Sequence, residues 1–196
     1  MAIVIREVTR SDERLAVYQL RYRVFVEEIG ARASQNDHAR RALSDALDSN
    51  EVLLGAFDSD RLVGSVRGNL AEDCPAFLHS KYDLRPLIDA HPRLVTVTTR
   101  MVIDRDYRYG LLGARLSKAI FERHLNRGMH YDCIDCQEHM RLFFLRLGYR
   151  PGADPFIHPD SGRTHFPMIM DYTDLAHFVA IRSPFAQLAA RRPVAA

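Results

Sequence analysis

The segment that most constrains the fold is TRMVIDRDYRYGLLG, residues 99–113, because it leads from an apolar strand through a turn into a helix. The strand reads VTVTTRMVI, and its β-branched residues favour an extended backbone. After the turn, Leu112, Leu116 and Ile120 recur at the spacing of an amphipathic helix. The first N–H groups of a helix lack intrahelical acceptors and lie at the positive end of its dipole. With glycines in the turn, the segment predicts a strand–turn–helix unit that can bind a phosphate group.

The rest of the chain is predicted to alternate strands and helices, with strands in the majority. Strands are expected at residues 3–8, in a hairpin over 51–70, at 130–136 and at 163–174. A helix is expected at 11–28, and segment 139–149 is expected to begin as a helix and end as a strand. Ser11 is the expected N-cap of the first helix. Residues 31–41 are polar and predicted to be irregular, and the proline-containing segment 71–93 predicts a loop with one short helix. Only the strand–helix–strand unit from residue 95 onwards requires a parallel pair.

Composition indicates one domain in the cytoplasm. The 196 residues suffice for one substantial core, expected at residues 1–181, with a loosely ordered tail at 182–196. A net charge of +2 is too balanced for nucleic acid as a main partner, and no apolar run is long enough to span a bilayer. The few cysteines, odd in number, fit a reducing compartment. Cys133, Cys136 and His139 superficially suggest a metal site, but no second pair follows, so no metal is expected.

The turn resembles the acyl-CoA-binding segment of the GNAT acyltransferase superfamily, in which an Arg or Gln opens a run with small fourth and sixth positions. Here Arg108 opens the run, Gly113 fills the sixth position, and Leu111 replaces the small fourth residue, with Gly110 one place earlier. The resemblance implies a mixed α/β GNAT fold, a central sheet flanked by helices, in which the central strand separates from the strand beginning at Tyr131. It implies donor contacts from Met101, Val102, Ile103, Arg108, Tyr109, Gly110, Leu111, Leu112, Gly113 and Ala114.

The N-terminal half narrows the resemblance. LRYRVFVEEIG, DALD, LVGSVR and TRMVI occur in the order found in acyl-homoserine-lactone synthases and long-chain N-acyl amino acid synthases. Carried over residue by residue, the likeness implies an acceptor cleft with an internal ion-pair network, formed by Arg21, Phe25, Asp45, Asp48 and Arg67, with Arg100 on the central strand. The alternative interpretation is a set of ordinary surface charges.

Departures from the pattern of the lactone synthases favour a resemblance to the long-chain N-acyl amino acid synthases. The chain has no Trp, and Ala31 stands roughly where a tryptophan is usual in the lactone synthases. Val97 replaces their carboxylate three residues before the strand arginine. The TR strand, YRYG, LRLGY and PMIMDYTDL look closer to the long-chain N-acyl amino acid synthases.

The resemblance implies acyl transfer from a thioester to an amine. The donor would be acyl-CoA or an acyl carrier protein, a co-substrate and not a permanently bound cofactor, and the acceptor an amino acid, another small amine or a peptide side chain. Backbone N–H groups of residues 101–103 would stabilise the oxyanion. Glu138 and His139 are candidate general bases, or plain helix-start residues. Phe144 stands where many GNAT enzymes carry a Tyr acid and is expected in the core.

The sequence is also compatible with other functions. A basic stripe on the helix after the turn is either a solvated face or a docking surface for an acidic carrier protein; it consists of Arg115, Lys118, Glu122, Arg123 and Arg127. The chain could instead be an acetyl-CoA-dependent N-acetyltransferase of small molecules, or a non-catalytic acyl-binding sensor. Acyl-chain preference and turnover separate these classes.

Arg100 is the charge in the apolar strand, and burying it is costly unless it is paired. Period-two alternation places it with Thr98 and Val102, on the face opposite Met101 and Ile103. We expect Arg100 to pair with Asp45 or Asp48, or to bind an acceptor carboxylate directly.

Overall fold

The protein is described here from a computed structural model that covers residues 2–32, 36–49 and 51–191. The strands are β1 Val4–Glu7, β2 Asn36–Asp37, β3 Ala42–Leu43, β4 Glu51–Asp58, β5 Arg61–Leu70, β6 Val95–Ile103, β7 Tyr131–Cys136, β8 Arg150–Pro151, β9 Phe156–Ile157 and β10 Thr164–Asp171. The helices are α1 Ser11–Arg21, α2 Ala76–Tyr82, α3 Leu84–Ala90, α4 Leu112–Asn126, α5 Glu138–Leu147, α6 Leu175–Ala180 and α7 Ala186–Ala189. A π-helical stretch, Tyr22–Glu28, continues α1.

The main sheet has eight strands in the order β1-β4-β5-β6-β7-β10-β8, with β9 paired to β10. Strand β6 pairs with β7 in parallel, while β10 pairs with β7, β8 and β9 in antiparallel fashion, as β1 does with β4. The predicted mixed α/β sheet is therefore confirmed. The ladder between β6 and β7 joins Val95 to Tyr131 and ends at Val97 and Cys133, although both strands continue. Such an early end is what the predicted separation of these strands requires.

The chain forms two compact units. The first contains Met1–Gly68, Thr99–Ile120 and Pro159–Gly162, and the second contains Asn69–Thr98, Phe121–His158 and Arg163–Ala196. The first unit has two apolar clusters, one built on Val17 and Leu20 of α1 and the other on Leu116 and Ile120 of α4. Burial of those α4 residues confirms the predicted helical face.

The core of the second unit is aromatic. Phe121 packs edge-on against Tyr172 and Phe178 and lies 4.6 Å from Phe185, measured between ring centroids. Phe144 belongs to the same cluster, as predicted. Because Phe185 and Ala189 are buried, the prediction of a loose tail is wrong for residues 183–189. Residues 192–196 of that tail lie outside the described residues.

Some local predictions differ from the structure. Helix α1 begins at Ser11 itself, its N-cap is Arg10, and no side chain caps it. Segment 71–93 contains α2 and α3 instead of one short helix, because Pro75 precedes α2 and Pro86 lies in the first turn of α3, where proline is tolerated. The segment predicted as irregular, 31–41, contains β2 and the turn to β3, with residues 33–35 outside the described chain.

No helix in the described part of the chain is long and apolar enough to cross a membrane.

Candidate active site

The innermost element of the candidate site is a fully buried arginine. Arg21, the last residue of α1, donates from Nη1 to both carboxylate oxygens of Asp48, at 2.7 and 2.9 Å. Burial lowers the pKa of Arg21, and the charge of Asp48 opposes that shift. The Nε and Nη2 atoms of Arg21 have no hydrogen-bond partner among the described residues. This arginine therefore depends on Asp48 for its compensation.

The two aspartates of the DALD sequence occupy one tight turn. The backbone N–H of Asp45 donates to Asp48 Oδ2 at 2.9 Å, and the N–H of Leu47 donates to Asp45 Oδ1 at 3.0 Å. The spacing of three residues lets one carboxylate accept a backbone N–H from the other residue while both face the arginines. The predicted ordinary surface charges are excluded here, since Asp48 is buried.

Arg67 on β5 joins these carboxylates. Its Nη1 lies 2.5 Å from Asp45 Oδ1 and 2.9 Å from Asp48 Oδ1, and its Nε donates to the Thr99 hydroxyl at 3.1 Å. Burial raises the pKa of Asp45, but the hydrogen bond from Arg67 and the surrounding arginines outweigh it and lower that pKa to about 2. Asp45 is therefore ionised at neutral pH, and the network is held by charge as well as by hydrogen bonds.

Arg100 forms the open end of the network. Its Nε and Nη2 donate to Asp45 Oδ2 at 3.3 and 3.1 Å, so the predicted pairing with Asp45 is present. Its guanidinium carbon lies 5.4 Å from the ring centre of Phe25, and Asp160 Oδ2 lies 3.9 Å from its Nη2. The Arg100 side chain is 20% exposed, unlike that of Arg67 at 2%. We call Arg21, Asp45, Asp48, Arg67 and Arg100 the ion-pair network.

Backbone conformation explains how Arg100 reaches Asp45. Its φ of 54° lies in the left-handed region, which is uncommon for a residue other than glycine inside a strand. Both Thr99 and Arg100 consequently contact the network, whereas Thr98 donates to Asp132. The prediction that Arg100 shares a face with Thr98 is wrong, because regular alternation is interrupted at Arg100 as in a β-bulge.

Alternation resumes beyond Arg100. Val102 packs in the α1 cluster, while Met101 and Ile103 pack in the α4 cluster, as predicted for opposite faces. Residues 101–103, proposed from the resemblance to stabilise an oxyanion, thus follow directly on a residue with a left-handed backbone. Their role in binding the donor stays a prediction.

The predicted phosphate turn precedes α4. Arg108 is tied down, since its Nε donates to the carbonyl of Ile103 at 2.9 Å and its Nη2 lies 2.5 Å from Glu28. Tyr109, Gly110 and Leu111 are exposed, and α4 then begins with Leu112 buried and Gly113 and Ala114 half-buried. An Asp104 carboxylate that accepts the N–H of Asp106 fixes the start of the turn. The segment therefore presents open backbone and apolar side chains at the start of a helix.

Glu138 and His139, the predicted general bases, are exposed in the first turn of α5 in the second unit. Glu138 pairs with Arg141 at 3.0 Å. Cys133 and Cys136 are buried free thiols, and burial raises the pKa of Cys136 to about 12. On the basic stripe, Arg115, Lys118 and Arg127 are exposed, while Glu122 and Arg123 are half-buried.

Sequence reasoning missed a carboxylate–imidazole pair in the second unit. His165 Nδ1 on β10 donates to Asp135 on β7, and the hydroxyl of Tyr82 donates to the same carboxylate. Burial raises the pKa of Asp135, and the bonds from His165 and Tyr82 outweigh it and lower that pKa. His165 Nε2 is buried and has no hydrogen-bond partner in the described chain. The bond to Asp135 therefore fixes the orientation of the His165 ring.

The pKa of a second buried carboxylate in that unit, Asp132, shifts in the opposite direction. Asp132 accepts hydrogen bonds from Thr96, Thr98 and Tyr149, but burial raises its pKa to about 7. The nearby His124 has its pKa lowered to about 3 by burial. Asp132 therefore holds a proton up to near-neutral pH, whereas His124 stays neutral.

Comparison with known protein families shows the family of this chain. A family model described as "N-acyl amino acid synthase FeeM" matches residues 16–171. The chain belongs to this family. The matched range includes the whole ion-pair network and the turn before α4. Among curated proteins, none matches this sequence.

Solved structures with the same fold include the named member of that family. FeeM, an N-acyl amino acid synthase from uncultured soil microbes, has a TM-score of 0.73 and 15% identity, over 95% of this chain and 98% of that one. The CoA-dependent acyl-homoserine lactone synthase BjaI, solved with SAM and isopentyl-CoA, gives 0.71 and 19%, over 93% and 91%. An acyl-CoA N-acyltransferase from Pseudomonas aeruginosa gives 0.61 and 17%, over 86% and 98%. These neighbours confirm the GNAT fold.

Family membership makes the chain an N-acyltransferase that uses an acyl thioester as co-substrate. The catalytic class predicted from the sequence is thereby confirmed.

Proposed function

We propose that this enzyme transfers a long-chain fatty acyl group from a carrier-protein or CoA thioester to the amine of an amino acid. The observation that carries the proposal is the ion-pair network, in which Arg21, Asp48 and Arg67 are buried while Asp45 and Arg100 are partly exposed, together with the match to the N-acyl amino acid synthase family. A half-buried arginine at the edge of such a network suits an acceptor that carries a carboxylate.

The donor side of the proposal rests on the turn before α4. Leu111 replaces the small residue expected at this position, and its side chain is 78% exposed beside the fully exposed Tyr109. These side chains offer apolar contacts to a donor arm, while the N-terminal amides of α4 suit a phosphate. The basic residues further along α4 favour an acidic carrier protein over free CoA. Long-chain thioesters on carrier protein are therefore the proposed best donors.

In the proposed reaction the acceptor nitrogen attacks the thioester carbonyl and forms a tetrahedral intermediate. Backbone N–H groups of residues 101–103 stabilise the negative charge on its oxygen. The intermediate collapses as the C–S bond breaks, the amide remains on the acceptor, and the thiolate leaves on the pantetheine arm. One proton passes from the nitrogen to a general base. Glu138 and His139 are the candidate bases.

The test compares donors and acceptors in one assay. Purified enzyme is given acetyl, octanoyl and palmitoyl groups, each on CoA and on carrier protein, with a mixture of amino acids, and N-acyl products are quantified by mass spectrometry. We expect kcat/KM to rise with acyl length and to be higher on carrier protein. A preference for acetyl-CoA would make the chain a small-molecule acetyltransferase, and absence of turnover with every donor would indicate a non-catalytic acyl-binding protein.

A further inference from the structure

The guanidinium group of Arg100 has capacity for another carboxylate. Both of its hydrogen bonds, from Nε and Nη2, go to the same oxygen, Asp45 Oδ2. That oxygen also accepts from Arg67 Nη2 at 3.2 Å. The Nη1 atom of Arg100 makes no hydrogen bond to any residue in the described ranges. The planar guanidinium group, here called the fork of Arg100, is suited to two parallel hydrogen bonds to the two oxygens of one carboxylate. A single shared oxygen does not satisfy it.

The backbone fixes this guanidinium group in place. Arg100 has a φ of 54°, which costs free energy for a residue other than glycine, and its side chain packs over Phe25. A strained backbone conformation persists where the surrounding contacts hold it in place, and such residues cluster at binding sites. The fork of Arg100 is therefore held by its backbone, by Phe25 and by Asp45 before any ligand arrives.

A carboxylate from another part of the same unit approaches this fork. Segment Pro159–Gly162 belongs to the first unit, and the carbonyl of Asp160 accepts the N–H of Arg32 at 2.7 Å. Gly162 has a φ of 65°, a conformation that lets the segment turn. The Asp160 side chain is 26% exposed, and its Oδ2 lies 3.9 Å from Arg100 Nη2, an ion pair without a direct hydrogen bond.

We infer that Asp160 occupies the acceptor-carboxylate position at Arg100 in the free enzyme and is displaced when an amino acid binds. This inference rests on the proposed function. The ion pair between Asp160 and Arg100 is long and partly solvated, so replacing this one contact at Arg100 with a direct hydrogen bond costs little. An acceptor carboxylate can take both Nη1 and Nη2 at hydrogen-bond distance. Asp160 is thus a specificity-determining residue. Its negative charge repels other carboxylates, so only an acceptor carboxylate that makes both hydrogen bonds to the Arg100 guanidinium group displaces it.

The experiment compares Asp160→Asn with the unaltered enzyme and with Asp106→Asn. Asp106 is a carboxylate of the same unit, 73% exposed, and it pairs with Arg61. The acceptors are the standard amino acid with the highest turnover and its primary amide, which differs only in lacking the carboxylate charge. Their dissociation constants from free enzyme are measured by calorimetry, and KM and kcat are measured with saturating donor.

We expect Asp160→Asn to tighten binding of the amino acid, and to lower its KM, by about fivefold because a like charge is removed near the fork. Binding of the amide should change less than twofold, kcat should be retained, and Asp106→Asn should behave like the unaltered enzyme. Equal changes for acid and amide, or no change for either, would overturn the role of Asp160. Absence of N-acyl products with every amine would instead refute the proposed function. Calorimetry with the standard amino acid that binds the free enzyme most tightly, and with its amide, would then still test Asp160.

Discussion

Replacement of Arg100 by glycine separates the functional role of this residue from its structural cost. Arg100 has a left-handed φ of 54° in the middle of β6, which glycine adopts without strain. The substitution also removes two hydrogen bonds to Asp45, which keeps its bonds to Arg67. We therefore expect Arg100→Gly to fold normally and to lose acyl transfer.

The magnitudes follow from these contacts. Relief of the left-handed backbone stabilises the fold by about 1–2 kcal/mol. Loss of the partly exposed ion pair costs about 1 kcal/mol, and a glycine in a strand costs about 1 kcal/mol through chain entropy. The net change in the free energy of unfolding is then within about 1 kcal/mol of zero. Activity should fall by about 100-fold in kcat/KM if Arg100 makes the proposed charge-assisted contact to the acceptor, which is worth about 3 kcal/mol.

The assay pairs urea denaturation with the acyl-transfer assay, and Arg100→Lys serves as the matched variant. Lysine keeps the charge and the backbone strain but lacks the planar fork, so it should lower kcat/KM by about tenfold. Arg100 would be only a structural or solvated residue if the lysine and glycine variants transferred acyl groups at the unaltered rate. A loss of more than about 3 kcal/mol in the glycine variant would instead show that the network needs Arg100 to fold.

Further substitutions probe the buried charges. Asp48→Asn should destabilise the fold by about 3–5 kcal/mol in urea denaturation because Arg21 loses its paired charge, whereas Asp89→Asn on the surface should cost less than about 0.5 kcal/mol. His124 has a folded pKa of about 3 against 6.5 when unfolded, so its contribution to stability rises with pH between those values. Asp132 has a folded pKa of about 7 against 3.8, so its contribution falls with pH over that window. The measurement is the difference in Tm between each variant and the unaltered protein from pH 4 to pH 6.5. This difference should fall with pH for His124→Asn and rise with pH for Asp132→Asn. Equal slopes for the two variants would contradict the assigned pKa shifts.

Much of the fold follows from patterns that are local in sequence. The apolar face of α4 is read from the spacing of Leu112, Leu116 and Ile120, all of which are buried. Pairing of Arg100 with Asp45 was predictable because a charge within an apolar strand needs a partner. Sequence resemblance narrowed the partner to Asp45 or Asp48, since hydropathy alone does not choose among aspartates, and the structure identifies Asp45.

Other features carry no local signal. The left-handed backbone of Arg100 is set by tertiary contacts, because an arginine in a β-branched run predicts an ordinary extended residue. Asp135 and His165 meet only because β7 pairs with β10, so no spacing in the sequence announces them. Pro86 was misleading, since it indicates a loop but is tolerated in the first turn of α3.

The ion-pair network also limits how the enzyme can diversify. Arg67 and Asp48 each pair with two charged neighbours, and Arg21 pairs with Asp48 alone, so a single replacement leaves a buried charge without its partner. Two sequences that both balance these charges are therefore separated by single substitutions that destabilise the fold. Phe25 and Asp160 lie at its solvent-facing end, beside the fork of Arg100, and are free of that constraint. Libraries designed to change acceptor preference should therefore vary Phe25 and Asp160 and leave Arg21, Asp48, Arg67 and Arg100 untouched.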